Sequence, residues 1–339
     1  MRAFLDRANL ITRSLELLTN DKMHAIVHPD KTDVDSLGFA CPEDLDKEAY
    51  FTFWNNYLPI LIHRERRWRK VGLPRGEKLK RFVRKGIPSK LRATVWMLGC
   101  PPVELAKHEV SDAVVDAIRL DLPRTFPDNN RLSSAAGNRI IGRILYRVAQ
   151  HFPDIGYCQG FNYIAALLYL VLNDENAAVQ LMTHSIQQRP SYYTSDMSGI
   201  IVDIKVLRDI LRDRTLMPSA LLRLIETDME MMLSKWFLCW FLETLPMESV
   251  LRVWDCLFLE GNTVLFRIAV ALIEASIPSL AKCHTLTDVL QVFRDIGSTQ
   301  LALDCHHLLQ VAFAKDKASI TSSRLAEYRQ RYAASPTAN

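Results

Sequence analysis

An arginine framed by prolines and a glutamine framed by glycines are the two places where side-chain type and backbone restraint suggest chemistry. The first lies in Ile118-Arg-Leu-Asp121-Leu-Pro-Arg124-Thr-Phe-Pro127. A residue before proline is pushed out of the α region, so a helix through Ile118 is expected to end near Leu122. Arg124 then sits just past a helix C-terminus. It either complements the helix dipole there, worth about 0.3–1 kcal/mol, or is a rigidly presented guanidinium with Asp121 close enough to orient it. The second segment is Gly156-Tyr157-Cys158-Gln159-Gly160-Phe161-Asn162. Glycines on both sides of Tyr157-Cys158-Gln159 let a foreign backbone or ligand come close. The segment opens an apolar helix over residues 163–172, whose N-terminal dipole favours an anion. The competing reading is a tight turn in which Gln159 caps helix ends.

Whether the two segments can meet depends on what lies between them. A helix over residues 134–151 runs roughly 27 Å, and the nine or so residues after Arg124 can stretch about 30 Å back along it. Arg124 and Gln159 can therefore converge. The chain has no GxxxxGK[ST] phosphate loop, no GxSxG elbow and no HExxH. His24 and His28 have i, i+4 spacing but lie in a polar linker beside Pro29, and Cys305-His306-His307 points three ligands in different directions. No metal is assigned to either. An arginine and a glutamine without a nucleotide motif make an odd hydrolase, and make sense if another protein supplies the nucleotide.

The scaffold reads as helical throughout: Phe4, Ala8, Ile11, Leu15 and Leu18 mark a short amphipathic helix near the N-terminus, and further helices are expected around 200–213, 217–226, 229–243, 247–258, 263–276, 286–296 and 299–314. Glycine is scarce, 12 of 339 residues, and no βαβ alternation or fixed-period repeat appears. The fold class is all-α, a single elongated multi-helix body. Seven cysteines, an odd number with no CxxC pair, fit free buried thiols in a reducing compartment. Residues 1–18 carry charges but no apolar core, so no signal peptide is read. The uncharged stretch 155–173 is continuously apolar only over 163–172, too short to span a bilayer. A cytoplasmic protein is expected. The net charge of +4 does not by itself imply a nucleic-acid binder, and none is assigned as partner. Between residues 64 and 92, however, 13 basic residues face 2 acidic ones, which leaves the rest of the chain at −7. That run is either a solvated face with structural arginines or a peripheral contact with anionic membrane.

In combination these residues resemble the TBC domain of Rab GTPase-activating proteins, which carries IxxDxxR and YxQ signatures. Both are complete here, as Ile118-x-x-Asp121-x-x-Arg124 and Tyr157-x-Gln159. Supporting matches are Lys85-Gly86-Ile87-Pro88, Arg92-x-x-x-Trp96, Thr125-Phe126-Pro127, Ser234-Lys235-Trp236-Phe237 and Arg252-Val-Trp254-Asp255-Cys-Leu-Phe258-x-Glu260-Gly261. Gly38-Phe39, Pro42-Glu43-Asp44 and the basic stretch are similar to the growth hormone-regulated TBC subgroup. Pro123 stands where a polar residue is expected, and stiffens or re-aims Arg124. The implied organisation is an N-terminal extension (1–35), a helical lead-in (36–85), a catalytic domain (86–261), C-terminal helices (262–325) and a tail (326–339).

The resemblance implies an activator in trans with no hydrolase activity of its own. A GTP-bound Rab is the expected partner and brings the GTP and Mg²⁺; the chain itself carries no cofactor. Arg124 and Gln159 are the expected catalytic residues. Arg124 neutralises charge on the phosphates, and Gln159 positions the attacking water. Asp121 is expected to hold Arg124, Tyr157 to shape the glutamine loop, Arg92 and Trp96 to be structural, and Asn162 to support the site. Control of vesicle trafficking at endomembranes follows. The alternative is a non-catalytic Rab-binding or membrane-adaptor module.

Overall fold

The computed structural model describes residues 37–39, 47–214 and 229–333. The helix read near the N-terminus, the one over 217–226, the Pro42-Glu43-Asp44 match and the last residues of the tail lie outside these. The described residues are all-α; their one β-bridge joins Phe39 to Asn129. They fall into two compact units that divide between Ile186 and Gln187.

The first unit contains α1 (Lys47–Val71), α2 (Gly76–Lys85), α3 (Ser89–Leu98), α4 (Asp112–Asp121), a 3-10 turn (Leu122–Arg124), α5 (Ala135–His151), α6 (Phe161–Leu172) and α7 (Glu175–Gln187). Its centre is α6. The apolar run that is too short for a membrane buries Ile164, Ala165, Ala166, Leu167 and Leu168 completely. At about 1.5–3 kcal/mol for each fully buried aliphatic side chain, this helix anchors the unit. On it pack α5, through a face that buries Ile141, Ile144, Leu145 and Val148, and α3, which buries Leu91, Val95 and Trp96. Helix α5 starts where Ser134 accepts the Gly137 N–H at 3.1 Å, an N-cap. Helix α4 packs on α5 in turn. Trp68 of α1 meets Phe82 of α2 edge to face at 5.5 Å and donates to the Gly86 carbonyl at 3.0 Å. The Lys85-Gly86-Ile87-Pro88 match is thus the stop of α2, tied down by a tryptophan.

The second unit contains α8 (Ser198–Asp213), α9 (Met229–Leu238), α10 (Met247–Glu260), α11 (Thr263–Leu280), α12 (Leu286–Arg294), α13 (Gln300–Leu303), α14 (Cys305–Ala312) and α15 (Ser322–Ala333). Helix α11 is the one described helix long and apolar enough to cross a bilayer, but 61% of it is buried within the protein, and it packs on α10 and α14. It is the core helix of this unit. Two helices expected from periodicity end early for visible reasons. The helix read over 229–243 stops at Leu238 because Trp240 and Phe241 take left-handed backbone angles, φ 51° and 66°. Both are fully buried, and Trp240 receives the Trp254 indole N–H on its carbonyl. The helix read over 299–314 is broken at Asp304, whose carboxylate caps the backbone N–H groups of His306 and His307. Helices α7 and α15 were not read from the sequence. The described cysteines form no disulfide.

Candidate functional site

Helix α4 ends at Asp121, and the chain tightens into the 3-10 turn Leu122–Arg124. Pro123 lies within the first turn of this short element, where its fixed φ suits helical geometry and its missing N–H costs nothing. Arg124 closes the turn and is exposed. Its guanidinium makes no hydrogen bond or ion pair among the described residues, while its carbonyl accepts the Tyr163 hydroxyl at 3.2 Å. The next residues turn inward. Thr125 is buried, and Phe126, with φ 47°, sits between Phe39 and Tyr163 in two edge contacts at 5.0 and 5.2 Å.

The glutamine loop lies between α5 and α6. Gly156 has φ 59°, and a Cβ there would meet Val114 Cγ2 of α4 at 2.7 Å. This glycine therefore serves the close approach of the chain's own helix, not that of a ligand. Gly160, at φ 102°, provides the left-handed turn into α6. Gln159 is exposed between the two and does not cap α6, whose N-terminus has no side-chain cap. The turn-capping alternative for Gln159 is thereby removed. Burial pushes the Cys158 thiol up to about 11, so it stays protonated at neutral pH and is no nucleophile.

The two loops are bolted together on both sides. Tyr157, two residues before Gln159, donates to Asp121 Oδ2 at 2.7 Å, three residues before Arg124. Burial and this hydrogen bond push the Tyr157 phenol well above its ordinary value, so it stays a donor. Asn162, three residues after Gln159, donates from Nδ2 to Thr125 Oγ1 at 2.8 Å and accepts the Gly160 N–H on Oδ1 at 3.2 Å. Thr125 Oγ1 in turn donates a hydrogen bond to the Asp121 carbonyl at 2.8 Å. Asn162 is 2% exposed, and its amide is engaged on both sides. The result is a continuous polar seam running beneath two exposed, uncommitted side chains.

Asp121, expected to hold Arg124, instead receives the Tyr157 hydroxyl. Arg92 and Trp96 are buried in α3, away from solvent. Thr125, Tyr163 and Phe126 had no assigned part in the site. The available signal was a hydroxyl and an aromatic directly after the arginine, and an asparagine and a tyrosine at the head of an otherwise apolar helix.

The model of the Rab-GTPase-TBC domain matches residues 89–280, which include both loops. The chain belongs to this family. It is 42% identical over 288 residues to the Growth hormone-regulated TBC protein 6 of Caenorhabditis elegans, covering 82% of this chain and 87% of that one. It is 33% identical over 316 residues to the Growth hormone-regulated TBC protein 1 of Homo sapiens, covering 88% and 94%. Its structure is similar to that of the Chlamydomonas flagellar RabGAP TBC domain, with a TM-score of 0.62 at 26% identity, over 83% of this chain and 99% of that one. The same fold recurs in the Ypt/Rab-GAP domain of Gyp1p, with a TM-score of 0.61 at 16% identity, over 80% and 99%. Within the TBC domain, the IxxDxxR and YxQ signatures are the two halves of the bolted seam.

Proposed function

We propose that this chain is a catalytic GTPase-activating protein for a Rab-family GTPase and works with two side chains in trans. The observation that carries the reading is the pairing of free tips with a fixed base. Arg124 and Gln159 are exposed and uncommitted, while their loops are cross-bonded through Asp121–Tyr157 and Thr125–Asn162. Such an arrangement fixes the two loops that carry the tips before docking, so only the side chains themselves lose ordering entropy when the partner arrives. Membership of the TBC family supports a Rab as that partner.

The GTPase brings GTP and Mg²⁺ with its own phosphate-binding loop. Arg124 reaches into that nucleotide site and sets its planar fork against the β- and γ-phosphate oxygens, where charge develops as the bond to the γ-phosphoryl loosens. Gln159 orients the attacking water through its amide. Tyr157 and Asp121 hold the loops, and Asn162 with Thr125 fixes their spacing. Arg92 and Trp96 build the helix beneath. The chain hydrolyses nothing alone. It acts in the cytoplasm and at endomembranes, and sets how long its partner stays GTP-bound during vesicle traffic.

A non-catalytic Rab-binding module is the second reading, but a scaffold has no use for two free polar tips on one rigid base. Phosphate release from a panel of GTP-loaded Rabs separates the two. Acceleration of at least one member at catalytic amounts supports the proposal, and binding without acceleration across the whole panel overturns it.

A further inference from the structure

The basic run between residues 64 and 92 divides into two populations once its side chains are located. Arg64 and Arg92 are buried. Arg67 lies over the Phe82 ring at 5.1 Å, Arg69 pairs with Glu65, and Lys80 pairs with Glu77. These are structural or already neutralised. Arg84 is half-buried, and Lys90 is exposed on α3; on α1, α2 and their connection, Arg66, Lys70, Arg75, Lys78, Arg81 and Lys85 are exposed and make no ion pair or hydrogen bond among the described residues.

Their spacing is ordered. On α2, Lys78, Arg81 and Lys85 recur at steps of three and four, which puts them on one helix face, beside the stripe that buries Leu79, Phe82 and Val83. On α1, Arg66 and Lys70 are one turn apart and flank the buried Trp68 on its far side. Arg75 sits in the connection between the helices. Near it, at the end of α1, Val71 is one of the few exposed large apolar side chains. Glu77 is the exposed carboxylate of this stretch, and its partner Lys80 holds it below the usual carboxylate range. The aromatics, Trp68 and Phe82, are turned inward. The face therefore has no ring on which a nucleic-acid base could stack.

We infer that the solvent-facing side of the α1–α2 hairpin is a docking surface for an anionic lipid bilayer, with Val71 at its tip entering the headgroup layer. The occupant follows from charge complementarity. Six unpaired cations are spread along two helices and the turn between them. They suit a diffuse negative surface better than one stereospecific headgroup. The inference goes beyond the proposed GTPase activation and does not depend on it, since no GTPase takes part in its test.

The test is co-flotation of the full chain with phosphatidylcholine vesicles that do or do not contain phosphatidylserine. Binding is expected only with the anionic lipid, and it should be lost between about 0.1 M and about 0.5 M salt, where the screening length falls roughly twofold. Lys78→Gln, Arg81→Gln and Lys85→Gln together should weaken it roughly a hundredfold, each cation near such a surface contributing about fivefold. Arg66→Gln with Lys70→Gln is the independent second variant, and an unchanged melting temperature certifies the fold of both. Vesicles in which a phosphoinositide supplies the same total charge should bind equally well. Three results would overturn the inference: no binding to anionic vesicles, binding indifferent to both variants, or a duplex oligonucleotide held more tightly than the vesicles at equal salt.

Discussion

At the scale of single residues, the candidate site separates side chains that are exposed and uncommitted from those that hold the loops together. Gln159 has an exposed side-chain amide with no hydrogen-bond partner among the described residues. Gln159→Ala should therefore leave thermal stability within about 0.5 kcal/mol, as surface changes do, and slow GTP hydrolysis while a Rab pulldown stays near normal. Lost binding would contradict the water-positioning role. Tyr157 is the opposite case. Tyr157→Phe removes the donor from a partly buried carboxylate, which should cost about 1–3 kcal/mol in urea denaturation and lower turnover because the glutamine loop is less well held. A variant as stable and active as wild type would show that the Asp121–Tyr157 bond is incidental. The candidate residues stand out in the sequence by type and restraint, an arginine between prolines and a glutamine between glycines, and the structure leaves both exposed. The direction of Asp121 was not. A carboxylate three residues before an arginine is near it in any helical turn, and only the fold reveals that Tyr157 reaches it from another loop.

Elements were legible to the extent that their periodicity went uninterrupted. Helices α5 and α6 were read close to their observed bounds, because apolar spacing, an N-cap serine and a glycine start agree with one another. The misreadings came where tertiary packing overrides the local pattern. Buried Trp240 and Phe241 hold the chain in left-handed angles that periodicity does not forecast, and Asp304 chooses to cap a new helix rather than continue the old one. Gly156 illustrates the same point within the site. Its role depends on Val114, distant in sequence. Gly156→Ala should destabilise by about 1–2 kcal/mol from the left-handed backbone alone, with a further loss from the clash. Val114→Ala in the same chain should recover the clash part and not the backbone part, a coupling measurable by a double-mutant cycle in denaturant. If Gly156→Ala were as stable as the parent, the close approach of α4 to the loop would be refuted.

For the whole molecule, the all-α class followed from scarce glycine and unbroken helical periodicity, and the family followed from motifs that span both units. The division between Ile186 and Gln187 was not legible, since no composition change marks it and helix α7 runs through it. Conversely, the charge of the α1–α2 hairpin was visible as a count but not as a surface, because a sequence does not say which arginines are buried. The account as a whole rests on one arginine working inside another protein's nucleotide pocket. Its most direct test is single-turnover GTP hydrolysis by a responsive Rab with wild-type, Arg124→Ala and Arg124→Lys protein. Both variants should fold normally and lose about 10³–10⁵ of the acceleration, because lysine keeps the charge but not the planar fork. Near-normal hydrolysis with either variant would contradict the account.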